Sequence, residues 1–559
     1  MAHGPNKSLT LCPALTILAV STYPPTCPAM LSSLNLVDVS LIFAGILIIR
    51  TILKRFNQPA PFPPGPRGLP IVGNMLDLPP SHEWLKFAEW EGDIVYLNLL
   101  GQPMIILNSS KHAVALLDKR SSIYSDRPVL VMGGEMVGWN RALALSPYGE
   151  RLREYRRFIA KFMGGHKQID KYHDLEEYQT ARFLERILKT PEHVHEHIRQ
   201  TAGAIILKLV YGYEVKEVAD PLVELVDTAV NQFSLASAPG AFLVDVFPLL
   251  RYVPSWLPGA GFQRTALEWR TYLEDTANIP FNLVKERMAE HTNSSNFVSD
   301  LLDTEKLEGE KEFNIKWSAA SIYSGKCLNT AALVPFTNSS LFAQVARIRQ
   351  TVSAIYSFFL AMTLFPEAQK RAQEEIDSVV GADRLPSFND RPNLPYIEAL
   401  VKEVFRWAPV APLGVPHRLL EDDVYEGYLI PKGSIVISNI WKILHDPLVY
   451  VNPENFCPSR FLPQDEKEMP PDPRNFCFGF GRRICPGLRL ADASVFISCA
   501  MTLAVFDITK VVENGCTIEP KAECTSGTIS HPKPFKCSIK PRSTKAKALI
   551  LSSKESYRL

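Results

Sequence analysis

Phe478-Gly-Phe-Gly-Arg-Arg-Ile-Cys-Pro-Gly487 sets one cysteine, Cys485, between an arginine pair and a Pro-Gly, directly after a glycine-rich loop. A thiolate, not a thiol, binds metal, and nearby positive charge, backbone N–H groups and the metal itself all favour it. Gly479, Gly481 and Gly487 lack a Cβ, so backbone there can approach a flat group closely and turn where other residues cannot. Arg483 carries a guanidinium fork suited to carboxylates, and Phe478 offers an aromatic face. From Leu488 a helical apolar pattern resumes, which puts Cys485 just before a helix N-terminus whose dipole favours a thiolate. Together these features read as the loop that presents a thiolate ligand to a haem iron.

The run resembles the cysteine-loop signature of the cytochromes P450, Phe-x-x-Gly-x-Arg-x-Cys-x-Gly, with Phe478, Gly481, Arg483, Cys485 and Gly487 at its fixed positions. A structural cysteine beside a solvated arginine pair is the alternative, and agreement at every fixed position argues against it. The resemblance extends over roughly residues 60 to 545. It implies one large, mostly helical catalytic unit with small β-sheets (α+β), which binds haem b (iron protoporphyrin IX) with Cys485 as the axial ligand.

Two further constellations occur in the family's order. Glu403-Val-Phe-Arg406 sets an acid and an arginine three apart on one helix face. Phe456-Cys-Pro-Ser-Arg-Phe461 resembles the family segment whose arginine, here Arg460, completes a Glu-Arg-Arg network behind the haem; Ser459 stands where a glutamate is usual. These residues are supports. By resemblance Val410, Ala411, Leu413 and Val415 line the pocket, Thr528 and Ile529 face substrate from a C-terminal hairpin, and His417 reaches a propionate or is a hydrogen-bonded loop histidine. In Tyr148–Arg157 the family's Trp-x-x-x-Arg pair becomes Leu152 and Arg156, which leaves Arg156 as the propionate partner.

The chain has 559 residues, 46% hydrophobic and 10% aromatic, enough for a large core. Its 60 Lys and Arg nearly cancel 59 Asp and Glu, so no bulk basicity points to nucleic acid. The 10 cysteines show no CxxC pair, as in a reducing compartment. Residues 1–35 read as an extension, either a signal-like stretch or sequence upstream of a start at Met30. Residues 36–53 form an apolar anchor interrupted by Asp38 and Arg50, and 54–70 a basic, proline-rich hinge. Charge on its C-terminal side places the catalytic part (71–545, then a tail to 559) on the cytosolic face. The resemblance is to microsomal, fungal secondary-metabolism or xenobiotic members. It implies a single-pass protein of the endoplasmic reticulum membrane, O2 and a lipophilic small molecule as substrates, and NADPH-cytochrome P450 reductase as electron donor, with cytochrome b5 as a second.

One stretch departs from the family. Trp317–Gly325 and Thr351–Met362 resemble the two halves of a central helix, which in the family meet at a short acid–threonine motif that steers protons to bound oxygen. Here 25 residues, Lys326–Gln350, lie between them. As continuous helix they would add about 37 Å, and Pro335 would break them. They read as an adaptive insertion or as translated intron, and the clean pattern on both sides favours the second. Thr351 and Thr330 are the stand-ins for the missing alcohol. A monooxygenase is thus expected, the alternative being a haem-thiolate protein with impaired or no oxygen activation.

Overall fold

The computed structural model describes Gly45 and residues 59–217, 220–237, 241–325, 350–463, 468–527 and 529–556. The expected extension, the anchor apart from Gly45, residues 54–58 of the hinge, the stretch 326–349 and Thr528 lie outside the described residues. The chain divides into two units, Met1–Pro61 and Phe62–Leu559, and the sheet and the helical body both lie in the second.

Near the start of that unit a hairpin forms as the alternating sequence requires. Strands β1 (Ile94–Leu99) and β2 (Gln102–Leu107) pair antiparallel, Ile94 opposite Leu107, through a turn with Gly101 at φ 88°. Beyond β2 the sheet continues to β4 (Ile435–Ser438, parallel) and β3 (His417–Arg418, antiparallel), in the order β1-β2-β4-β3. Side chains alternate across it. Val95, Leu97, Met104 and Ile106 pack with Met75 and Leu78 on one face; Ile105 and Leu107 join Leu116, Tyr124 and Val436 on the other.

The helical body is built from α1 (Glu150–Met163), α2 (His173–Lys189), α3 (Val194–Tyr211), α4 (Pro221–Ala236), α5 (Gly261–Ala289), α6 (Lys311–Gly325), α7 (Gln350–Leu364), α8 (Pro366–Val379), α9 (Pro395–Trp407) and α10 (Leu488–Val505). Start signals are explicit. Asp220 caps α4 by accepting the N–H groups of Leu222 and Val223, with Pro221 at the first helical position. Glu375 of α8 takes the Tyr396 and Ile397 N–H groups at the start of α9.

The centre of the body is α10, predominantly apolar and packed against α2, α7, α8 and α9. It is long and apolar enough to cross a bilayer, yet it is largely buried within the body, as a core helix must be. Between α4 and α5 the chain is broken around Pro248, Pro254 and Pro258. Pro280, by contrast, lies buried inside α5, which continues through it.

Candidate functional site

The Cys485 loop is held by its own backbone and by one tight approach. Cys485 N–H donates to Phe478 O at 2.8 Å, which closes the loop. Gly481 sits at φ +52°, and a Cβ there would lie 2.4 Å from Leu117 O, so only glycine fits. Gly487 then opens α10, and its N–H donates to the Cys485 sulfur.

Cys485 lines a cavity together with Phe478, Gly479, Arg483 and Gly487 from the loop, Leu152 and Arg156 from α1, and Thr351 from α7. Val410, Ala411, Val415 and His417 line it from the segment leading into β3. The loop residues expected from sequence are thus brought together, except that Gly481 faces an outer groove beside Leu117. Leu413 is a correction. It packs against the Met75–Val95 cluster on the sheet side, because the chain turns through Gly414 (φ +58°) and successive residues point opposite ways. Ile529 is half-buried and does not line the cavity. Its neighbour Ser530 ties that hairpin to the wall by donating its N–H to Val410 O at 2.9 Å.

Two cysteines line the cavity, and electrostatics separates them. Burial pushes both thiols up. For Cys477 the Asp472 carboxylate adds to that, whereas the Gly487 N–H and the Arg156 guanidinium act the other way on Cys485. Of the two, Cys485 is the better thiolate.

The polar lining is cationic. Arg483 donates to Ser125 O and Ser146 O, each at 2.7 Å, and Arg156 donates to Ile484 O at 2.9 Å. Arg127, which the sequence reading missed, donates to Val415 O (2.8 Å) and Pro416 O (2.7 Å) and lines the same space. Burial brings the Arg483 guanidinium down to about 10 and pushes Arg127 down too, with repulsion from Arg483 adding to the latter. His417 donates Nδ1–H to Tyr124 O at 2.6 Å; burial and then Arg127 hold it far below the usual imidazole range, so it is neutral. Among the described residues no Asp or Glu lines the cavity. Asp126, itself paired with Arg418, offsets Arg127 and Arg483 only in part, so buried, mutually repelling guanidiniums around a thiol favour a further anionic partner. A flat group carrying two carboxylates and a thiolate-seeking metal fits this donor set.

Behind the loop the Glu403 network stands as expected. Glu403 and Arg406 are fully buried, with Arg406 Nε and Nη2 donating at 2.8 and 2.9 Å to the two carboxylate oxygens. Arg460 Nε and Cys457 N–H donate to Glu403 Oε1 at 3.1 and 2.8 Å. Phe405 of the same helix meets Phe478 edge-on, with ring centres 5.3 Å apart.

The family model described as Cytochrome P450 matches residues 63–325 and 339–539. The chain is 50% identical over 519 residues to cytochrome P450 monooxygenase 208 of Postia placenta, covering 92% of this chain and 97% of that protein. It is 45% identical over 526 residues to cytochrome P450 monooxygenase claR of Ampulloclitocybe clavipes, covering 93% and 94%. To ppsD of Aspergillus oryzae it is 42% identical over 527 residues, covering 92% and 96%.

Proposed function

This chain belongs to the cytochrome P450 family and is a monooxygenase by that kinship, and from that premise we propose that it binds haem b through Cys485 and inserts one atom of O2 into a lipophilic organic substrate. Electrons come from an NADPH-dependent reductase, with cytochrome b5 as a second donor. The observation that carries the reading is Cys485 at the wall of a cavity whose polar lining is cationic. Haem ligated by a thiolate supplies O2 binding and the electron push that favours O–O cleavage.

The chain's own residues do the rest. Gly487 N–H and Arg156 favour the Cys485 sulfur as an anion. Arg127 and Arg483 would hold the two carboxylates, His417 presents its free nitrogen beside them, and Val410, Ala411 and Val415 supply an apolar wall. The Glu403–Arg406–Arg460 network fixes the loop from behind. Attachment to the endoplasmic reticulum membrane, with the catalytic unit cytosolic, rests on the apolar stretch 36–53 and its basic flank. Large apolar side chains exposed on the body, Phe247, Leu249, Tyr252 and Trp256, support a membrane-facing surface as well.

A second reading is a haem-thiolate protein with impaired or no oxygen activation, working if at all as an isomerase or dehydrase. It is favoured by one observation: the family match breaks between Gly325 and Ser339, where the resemblance places the acid–threonine motif. Two measurements decide. Cys485→Ala should abolish the ferrous carbon monoxide band of thiolate haem while wild type shows it; a band that survives in the mutant sinks the assignment. Oxygen consumption with reductase and NADPH separates the first reading from the second.

A further inference from the structure

Thr351 lines the Cys485 cavity on one side and, on the other, a small internal cavity between α2, α3, α7 and α10. That cavity has room for about one water molecule. Hydroxyls of Thr201, Thr351, Ser494 and Ser498 line it. Thr201 is committed, since it donates to His197 O at 2.7 Å and accepts from Arg186 Nη2 at 2.6 Å. Ser494 and Ser498 lie four apart on one face of α10. The Ser494 hydroxyl donates to a carboxylate oxygen of Glu176 on α2, and Glu176 is fully buried. Three residues earlier on α2, His173 stacks on Phe388 with ring centres 3.8 Å apart and lines an outer groove together with Ala493, the neighbour of Ser494.

The hydrogen-bonded pair Glu176–Ser494 thus meets, at Ser494, a cavity shared with Ser498 and Thr351, and His173 and Ala493 bring the outer groove within a helical turn of that pair. We propose that this line is a proton relay, in which Glu176 passes protons through the serine hydroxyls to Thr351 Oγ and regains them from the groove. The proposal rests on the monooxygenase reading. That reaction, RH + O2 + NADPH + H⁺ → ROH + H2O + NADP⁺, consumes two electrons and two protons at the oxygen. Each hydroxyl accepts one proton as it gives one, and Glu176 ends as it began. Thr351 is the catalytic residue of the line; Glu176, Ser494 and Ser498 act through it and are positioning residues.

The test uses the full-length haem-loaded protein with reductase and NADPH and no added substrate. It follows water and hydrogen peroxide formed per NADPH, the effect of D2O on water formation, and the infrared carboxyl bands of the protein with and without haem. In Glu176→Gln and Ser498→Ala, water formation should fall roughly 10²-fold, the lower edge of general acid–base catalysis, with peroxide in its place and the D2O effect lost. Ser494→Ala should behave alike, and Ser494→Thr should restore both. One carboxyl band should vanish in Glu176→Gln and move in Ser494→Ala, a readout that needs no turnover. If these variants keep the ferrous carbon monoxide band and the wild-type split of water and peroxide, or the carboxyl band does not move, the relay is wrong and the monooxygenase reading stands. If wild type shows no such carbon monoxide band, the monooxygenase reading itself fails. Should Glu176→Gln not fold, Ser498→Ala and the infrared bands of wild type and Ser494→Ala still decide.

Discussion

Arg127 shows how one side chain can weaken the empty cavity and strengthen the filled one. Its guanidinium is buried beside Arg483 with only carbonyls to receive its protons, so the haem-free protein carries a penalty there that two carboxylates would relieve. Arg127→Met should raise the unfolding midpoint of the haem-free protein and weaken haem retention, read by thermal melts and by haem loss to a scavenger; a drop in both would refute the account. His445 gives a pH prediction. Burial, with Arg406 adding, depresses its imidazole to about 3, and it stacks on Trp441 with ring centres 4.4 Å apart. Below the unfolded value of about 6.5 only the unfolded chain takes the proton, so stability is lost as pH falls from there toward 3, by about 1.4 kcal/mol per pH unit at most. His445→Gln should flatten that slope in urea titrations at pH 7.5 and 5.5. Cys485 and Glu403 were legible in the sequence because part of their setting, Gly487 for the one and Arg406 for the other, lies two or three residues away. Arg127 was not, since its role arises only when residues 127, 415 and 483 meet in space. Leu413 was misread because an irregular segment has no period to say which way a side chain points.

At the scale of elements, α9 depends on one acid. Glu403 is fully buried, paired with Arg406 and reached by Arg460 and the Cys457 N–H. Glu403→Ala would leave Arg406 buried and uncompensated, a cost of roughly 3–5 kcal/mol. It should appear as a lower melting midpoint and reduced haem content, with Glu403→Ala/Arg406→Met partly recovering both. The junction of α6 and α7 carries the other prediction. Replacing Lys326–Gln350 by Gly-Ala-Asp-Thr should raise the share of oxygen converted to water and product over peroxide. Equal, tightly coupled oxygen use by the two versions would show that the stretch does no harm, and an abundant transcript containing its codons would exclude an intron origin. The helices α6 and α7 on either side of that stretch, and the face of α9 that carries Glu403 and Arg406, were readable in the sequence. The passage of α5 through Pro280 was not, because tertiary burial of that proline and its neighbours Ala277 and Phe281 outweighs the lost hydrogen bond.

For the whole molecule the question is which surface meets a membrane. Removing residues 1–54 should release much of the protein from microsomes while leaving a fraction bound through Phe247, Leu249, Tyr252 and Trp256. Changing those four to serine in the truncated protein should free the remainder, measured by sedimentation after a carbonate wash. Asn108, one of four sequons, is buried and donates to Phe87 O at 2.8 Å, so a glycan there is incompatible with the fold whatever face it occupies. The cationic cavity reaches beyond chemistry into the life of the protein in a cell. A newly made chain with several like charges enclosed and only Asp126 beside Arg127 and Arg483 to offset them holds a weakened core, and any ligand that binds only the folded form protects it by mass action. The supply of haem would then set how much of this protein survives degradation, and cells starved of iron should lose it while its transcript stays level.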